Sequence, residues 1–436
     1  KAAAAASYNA ALKLQPKLAD AKRELKHLGV KIKTTNAPLL SDALRDKPAT
    51  FVDVSDLMAF LQVHSRVTGI QRVQSCIVQE MFRATKFEGE EYFVGDVVFV
   101  YCDQNQQKFY AIENGAFQEL IDAALGSVSD QGSLVDTLDG IRNTALKVEP
   151  RKNDIYIILG AFWIGNDYSA SLLRLKSRGV RTGVYIYDLI PITHSQYVTE
   201  STRQDVIDKF GDVMSLMDFA LTISDFVATE VKQVLNDELG RDIPILSVPL
   251  AHELPEAKEG DGEDLSDEFI NAVPEKFALC VCTLEGRKNH LLLLNIWSAL
   301  ARKHKAALPT LLLVGKWGWR AEEFRAQLVT SKYVDGKIAV MGNISDRELK
   351  YLYEKCRFTV FPSFVEGWGL PVGESLAHGK PCIASRTSSI PEVGGDFCRY
   401  FDPYDLLGAT QLIEQALFDD KDVDEWSRHV RENFVP

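Results

Sequence analysis

Two acids, Glu366 and Glu374, stand with seven residues between them in the stretch FPSFVEGWGLPVGESLAHGKPCIASRTSSIP, residues 361–391. An apolar strand is predicted at Phe358–Phe361. A loop with Gly367, Trp368, Gly369 and Leu370 follows, then Pro371 opens a short helix that Gly379 closes. A helix N-terminus offers free N–H groups and a partial positive charge, which suits a phosphate, and glycines let the backbone approach it. The two carboxylates can accept hydrogen bonds from hydroxyls on either side. A phosphate between two polyols describes a nucleotide sugar. A second cluster, Arg287-Lys288, follows a predicted strand Phe277–Cys282 and leads into a helix. A bidentate donor beside a point charge suits a diphosphate.

The stretch 361–391 closely resembles the donor-site signature of retaining glycosyltransferases of family four. These have the GT-B architecture: α/β, with two Rossmann-like doubly wound domains facing a central cleft. The resemblance implies that Glu366 faces the donor sugar, that Glu374 holds the ribose hydroxyls, and that Arg287 and Lys288 bind the diphosphate. Many members carry Gly-Arg where this chain has Cys282-Thr283, so that charge should rest on Arg287 and Lys288. Gly367, Trp368, Gly369 and Leu370 line the donor loop, and Gly342, Asn343, Ile344 and Ser345 are the preferred base contact. Gly69, in Thr68-Gly69-Ile70-Gln71-Arg72, matches the family's phosphate-facing glycine loop. Relatives often have His-Asp where this chain has Tyr187-Asp188. Asp188 matches and is expected to orient the acceptor or the reacting sugar, while Tyr187, His194 and Arg72 are acceptor-side candidates, His194 as a substitute for the absent imidazole.

At 436 residues the chain is too long for one ordinary core and fits two domains with an appendage. Its composition, 46% hydrophobic and 25% charged, is that of a globular protein, and a net charge of −12 argues against a nucleic-acid binder. No apolar run reaches the roughly 18 residues of a membrane span, and no signal-peptide pattern opens the chain. A cytoplasmic protein is expected, with peripheral membrane contact left open. The seven cysteines read as free, mostly buried thiols. Cys280-Val-Cys282 is followed by no second pair, so no metal site is expected. No Asp-x-Asp pair lies beside a donor-type loop, and the resemblance implies metal-independent transfer. No cofactor is expected beyond the nucleotide-diphosphate sugar as co-substrate.

Residues 1–30 read as two helices broken at Pro16, and the spacing of Tyr8, Ala11, Leu12, Ala19, Ala21 and Leu25 resembles a tetratricopeptide repeat. Residues 31–49 read as a linker. Alternating strands and helices over 50–249 imply a doubly wound acceptor domain, although the pattern blurs between Gln104 and Val148. Residues 250–275 form a hinge and an acid-rich loop, and 276–436 the donor domain. Phe401-Asp402-Pro403 is expected to begin a final helix reaching Phe418. Trp426–Pro436 resembles the run-up to a last family helix that stops short, so a fragment of a longer protein is expected.

The expected function is a retaining hexosyltransferase. It would move a hexose from a nucleotide-diphosphate sugar to a hydroxyl of a glycan or glycolipid. GDP-mannose is the preferred donor, because the Gly-Arg-Lys-Asn and Trp-Gly-Leu-Pro segments resemble mannosyltransferase-like members. Two alternatives compete: a protein glycosyltransferase whose helical repeats present a polypeptide acceptor, and a non-transferase GT-B protein, either an epimerase or a binding module.

Overall fold

The computed structural model describes residues 48–65, 67, 69–83, 96–103, 107–126, 131–163, 167–252 and 265–436. The repeat-like segment 1–30, nearly all of the linker, and most of the acid-rich loop lie outside them. The described chain divides into two compact units.

The first unit holds an eight-stranded sheet in the order β4-β3-β2-β1-β5-β6-β7-β8. Its strands are β1 (Ala49–Asp53), β2 (Asp96–Asp103), β3 (Lys108–Ala111), β4 (Leu146–Val148), β5 (Ile155–Ile158), β6 (Arg181–Ile186), β7 (Phe219–Thr222) and β8 (Ile245–Ser247). From β2 to β8 every pairing is parallel. Central strands such as Ala49–Asp53 are buried along their whole length, as a sheet covered on both faces requires. The blurred region, Gln104–Val148, resolves into antiparallel β3 and β4 and the helices Asn114–Ala124 and Gln131–Thr144. The edge strands are short and β4 is largely exposed, so neither carries the continuous apolar run that marks the centre of the sheet.

The second unit holds six strands, all parallel, in the order β11-β10-β9-β12-β13-β14. They are β9 (Phe277–Val281), β10 (Thr310–Val314), β11 (Ile338–Met341), β12 (Thr359–Phe361), β13 (Cys382–Ser385) and β14 (Cys398–Phe401). Chain order reverses between β9 and β12, which pair at Leu279 and Thr359. The loops leaving the C-terminal ends of these two strands therefore diverge around a crevice, the place where open α/β sheets bind ligands.

Three boundaries differ from expectation. Two segments placed in the first domain by sequence, Asp188–Arg203 and Ser224–Val227, group with the second unit. Within the expected hinge, Asp267–Ala272 is a helix, because the Ser266 hydroxyl accepts the Phe269 N–H at 3.1 Å. The helix expected from Phe401 begins at Leu406: Asp402 caps a turn at Tyr404, and the Asp405 carboxylate accepts the Gly408 N–H. A further helix, Asp420–Asn433, follows Phe418 and buries Val423, Trp426 and Val430.

Candidate functional site

The loop after β9 opens with a tight 3-10 turn, Gly286–Lys288, then Asn289 in the left-handed region (φ 56°), then the helix His290–His304. Asparagine tolerates that conformation better than most residues. Its side-chain amide donates to the Pro403 carbonyl at 3.0 Å. The loop after β12 passes Glu366 and reaches Gly369, whose φ of 119° would strain any other residue, and the helix Leu370–Ala377 starts there with a proline in its first turn. At the far end Gly379 (φ 66°) lets the Lys380 N–H reach back to the Ser375 carbonyl. The strand, glycine loop and helix read from the sequence are all present.

These two loops bring together three charges. Lys288 Nζ donates to Glu366 Oε1 at 2.5 Å, and Arg287 Nη1 donates to Glu366 Oε2 at 2.6 Å. Arg287 also donates to the Val365 carbonyl at 2.7 Å, while the Phe364 N–H donates to the Arg287 carbonyl at 3.0 Å. Glu285 accepts from Arg287 on its other side. Lys288 and Glu366 are 8% and 7% exposed, so the pair sits in a low-dielectric setting. Burial would raise the Glu366 carboxyl, but Arg287 and Lys288 overcome it and hold the group at about 2. The Lys288 ammonium also lies 5.1 Å from the centre of the Phe361 ring.

Asp188, half-buried, belongs to this same unit. Burial raises its carboxyl, and Glu366 adds to the rise; Arg287, the Ile190 N–H and Lys288 oppose it. The four residues expected to carry the chemistry thus share one electrostatic environment. Glu374 lies in the helix Leu370–Ala377 and accepts the Tyr353 hydroxyl at 2.8 Å. The Gly367 carbonyl accepts from Ser224 and the Trp368 carbonyl from Ser389, so backbone groups of the donor loop are anchored. Leu370 is half-buried. Gly342 and Asn343 are exposed at the end of β11, whereas Ile344 packs against the core of the second unit. Ser345 forms a capping box with Glu348, so its hydroxyl and N–H are both engaged.

Gly69 (φ 55°) is exposed at the start of the helix Ile70–Arg83, with open space where a Cβ would stand, and half-buried Arg72 lies on that helix; both belong to the first unit. Tyr187, expected on the acceptor side, is a core residue of the first unit. It is 3% exposed and its hydroxyl donates to the Leu159 carbonyl at 2.8 Å, so that hydroxyl is engaged within the core. His194 is partly exposed, its Nδ1 lies 2.8 Å from Thr193 Oγ1, and burial lowers its pKa.

Sequence reasoning missed the groups that hold Glu366 in place. The Glu366 N–H donates to Ser388 Oγ, and Ser389 Oγ donates to the Glu366 carbonyl, both at 2.9 Å. The only trace in the sequence is the hydroxyl run Thr387-Ser388-Ser389 ahead of Pro391. Also missed was His290, whose Nε2 lies 3.4 Å from Cys282 Sγ.

The parallel sheets and the site at the β9/β12 reversal define an α/β protein of the GT-B class. Residues 263–433 match the family described as "Glycosyl transferases group 1". The chain is 34% identical over 247 residues to the O-antigen chain mannosyltransferase B of Escherichia coli, a match that covers 56% of this chain and 64% of that one. It is 28% identical over 167 residues to the serotype-specific mannosyltransferase WbdA of Escherichia coli, covering 38% of this chain and 20% of that one. The chain thus spans less than two thirds of either relative. Among solved structures, a sucrose-phosphate synthase from Thermosynechococcus elongatus superposes with a TM-score of 0.53 at 15% identity, over 88% of this chain and 94% of that one, which shows the shared fold. No helix among the described residues is long and apolar enough to cross a membrane.

Proposed function

We propose that the protein is a retaining mannosyltransferase that moves mannose from GDP-mannose to a hydroxyl of a growing glycan or lipid-linked glycan, with no metal at the diphosphate. The observation that carries this reading is the Arg287–Glu366–Lys288 cluster at the strand-order reversal of the second unit. A diphosphate there exchanges one carboxylate for two phosphates as the partner of both cations. Glu366 is then released to accept hydrogen bonds from the donor hexose, and Glu374 from the ribose. Arg287 and Lys288 stabilise the charge that develops on the departing nucleotide. Asp188 orients the reacting sugar or the acceptor. The mannosyltransferase relatives support the choice of sugar.

The test is a panel of nucleotide sugars with nucleoside diphosphate release as readout, each with a mannose-terminated glycan as acceptor. GDP release from GDP-mannose with extension of the acceptor is expected, and the anomeric signal of the new linkage reports retention. Interconversion of the free sugar nucleotide without release would show an epimerase, and neither change would leave a binding module. A narrower prediction concerns Glu374→Gln, which keeps an acceptor for Tyr353. Loss of a charge-assisted hydrogen bond should weaken GDP binding by about 1.5–3 kcal/mol in calorimetry, and unchanged affinity would remove the ribose role.

A further inference from the structure

Cys280 and Cys282 stand two residues apart at the end of β9, so both side chains project to the same face of the sheet. The 3-10 turn Gly286–Lys288 and left-handed Asn289 fold the chain back, and the first residue of the next helix, His290, returns to the strand end. Cys280 is 0% and His290 3% exposed, and Cys282 is half-buried. The two Sγ atoms are 3.8 Å apart, and Cys282 Sγ is 3.4 Å from His290 Nε2. All three ligand atoms lie within 4.8 Å of one another. A tetrahedral zinc ion with bonds of about 2.3 Å to sulfur and about 2.0–2.1 Å to nitrogen sets S···S near ~3.8 Å and S···N near ~3.5 Å. The Cys280–Cys282 and Cys282–His290 separations match two edges of that polyhedron.

We propose that Cys280, Cys282 and His290 form a binding site for a thiophilic divalent cation of the zinc type. The donor set, two thiols and one imidazole, is the soft set such ions select. Binding displaces the two thiol protons to solvent and leaves Cys280 and Cys282 as thiolates, whose two charges neutralise the ion. The fourth position of the ion is left to water on the side of half-buried Cys282. The ligands bracket residues 283–289, so the ion would clip together the ends of the segment that carries Arg287 and Lys288. This role is structural, it is separate from the diphosphate contacts, and it does not depend on which sugar nucleotide the protein uses.

The test uses the full chain, reduced and stripped of metal by chelation, titrated with Co(II) as a spectroscopic probe and then with Zn(II). One equivalent of Co(II) should bind with a thiolate-to-cobalt charge-transfer band in the near ultraviolet, Zn(II) should displace it, and the melting temperature should rise. Cys282→Ser and His290→Gln should each weaken binding beyond the roughly 10–100-fold that changes around the ligands produce, while Cys76→Ser, in the other unit, should leave it intact. Failure of the folded wild-type chain to bind one equivalent would overturn the site. So would a charge-transfer band that persists in Cys282→Ser.

Discussion

Lys288→Ala is expected to yield a folded protein whose rate of nucleotide release falls about 10²–10³-fold, a loss of roughly 2.7–4 kcal/mol of transition-state stabilisation. The size follows from where the charge sits. Lys288 is 8% exposed, so its field acts through protein rather than through bulk water. Folding should survive, because Glu366 keeps Arg287 on its other oxygen and Ser388 on its backbone N–H. The two effects separate cleanly: circular dichroism and the melting curve report the fold, and initial rates of nucleoside diphosphate release report the site. Near-normal turnover would remove Lys288 from the chemistry and with it the reading of the cluster as a diphosphate site.

Glu366→Ala should be the more disruptive change, destabilising the protein by about 3–5 kcal/mol as well as abolishing transfer. Deleting this carboxylate strands the Lys288 ammonium and removes one of the two acids that flank Arg287. Glu366→Gln keeps the shape but not the charge, so comparing the two variants in chemical denaturation isolates the electrostatic part. The pH dependence has a definite sign. The folded-state pKa of Glu366 is depressed from 4.5 to about 2. Its stabilising contribution is therefore fully present above the unfolded value and is lost as pH falls from there through about 2. Wild-type stability should decline across that window, and Glu366→Gln should lack this component. An identical acid profile in both proteins would mean that Arg287 and Lys288 do not hold the carboxylate.

Much of the donor half was legible because local chemistry and global fold agree there. Pro371 and Gly379 mark the ends of the site helix through constraints that act within a few residues. The apolar runs of β9, β10 and β12 are those of strands covered on both faces. The surroundings of Tyr187 were not legible for the converse reason. Its position beside Asp188 at a strand end is visible in sequence, but the acceptor its buried hydroxyl finds, the Leu159 carbonyl, lies on another strand's end and is set by the tertiary fold. Ser345 was assigned to the ligand while the local capping pattern Ser345-x-x-Glu348 already offered it a partner.

What the sequence by itself determined is the inventory: two Rossmann-like sheets, the glycine loop, two acids, and a cationic pair whose types suit a nucleotide sugar. Only the tertiary structure decided that Arg287 and Lys288 grip the same carboxylate, because that depends on β9 and β12 being neighbours where the order of strands reverses. The tight turn after β9 brings His290 to Cys280 and Cys282, which in sequence are two thiols without a second pair. Spacing along a strand or helix reports only short-range geometry. Contacts between loops that leave different strands are set by strand order, and strand order is fixed by the packing of the whole sheet.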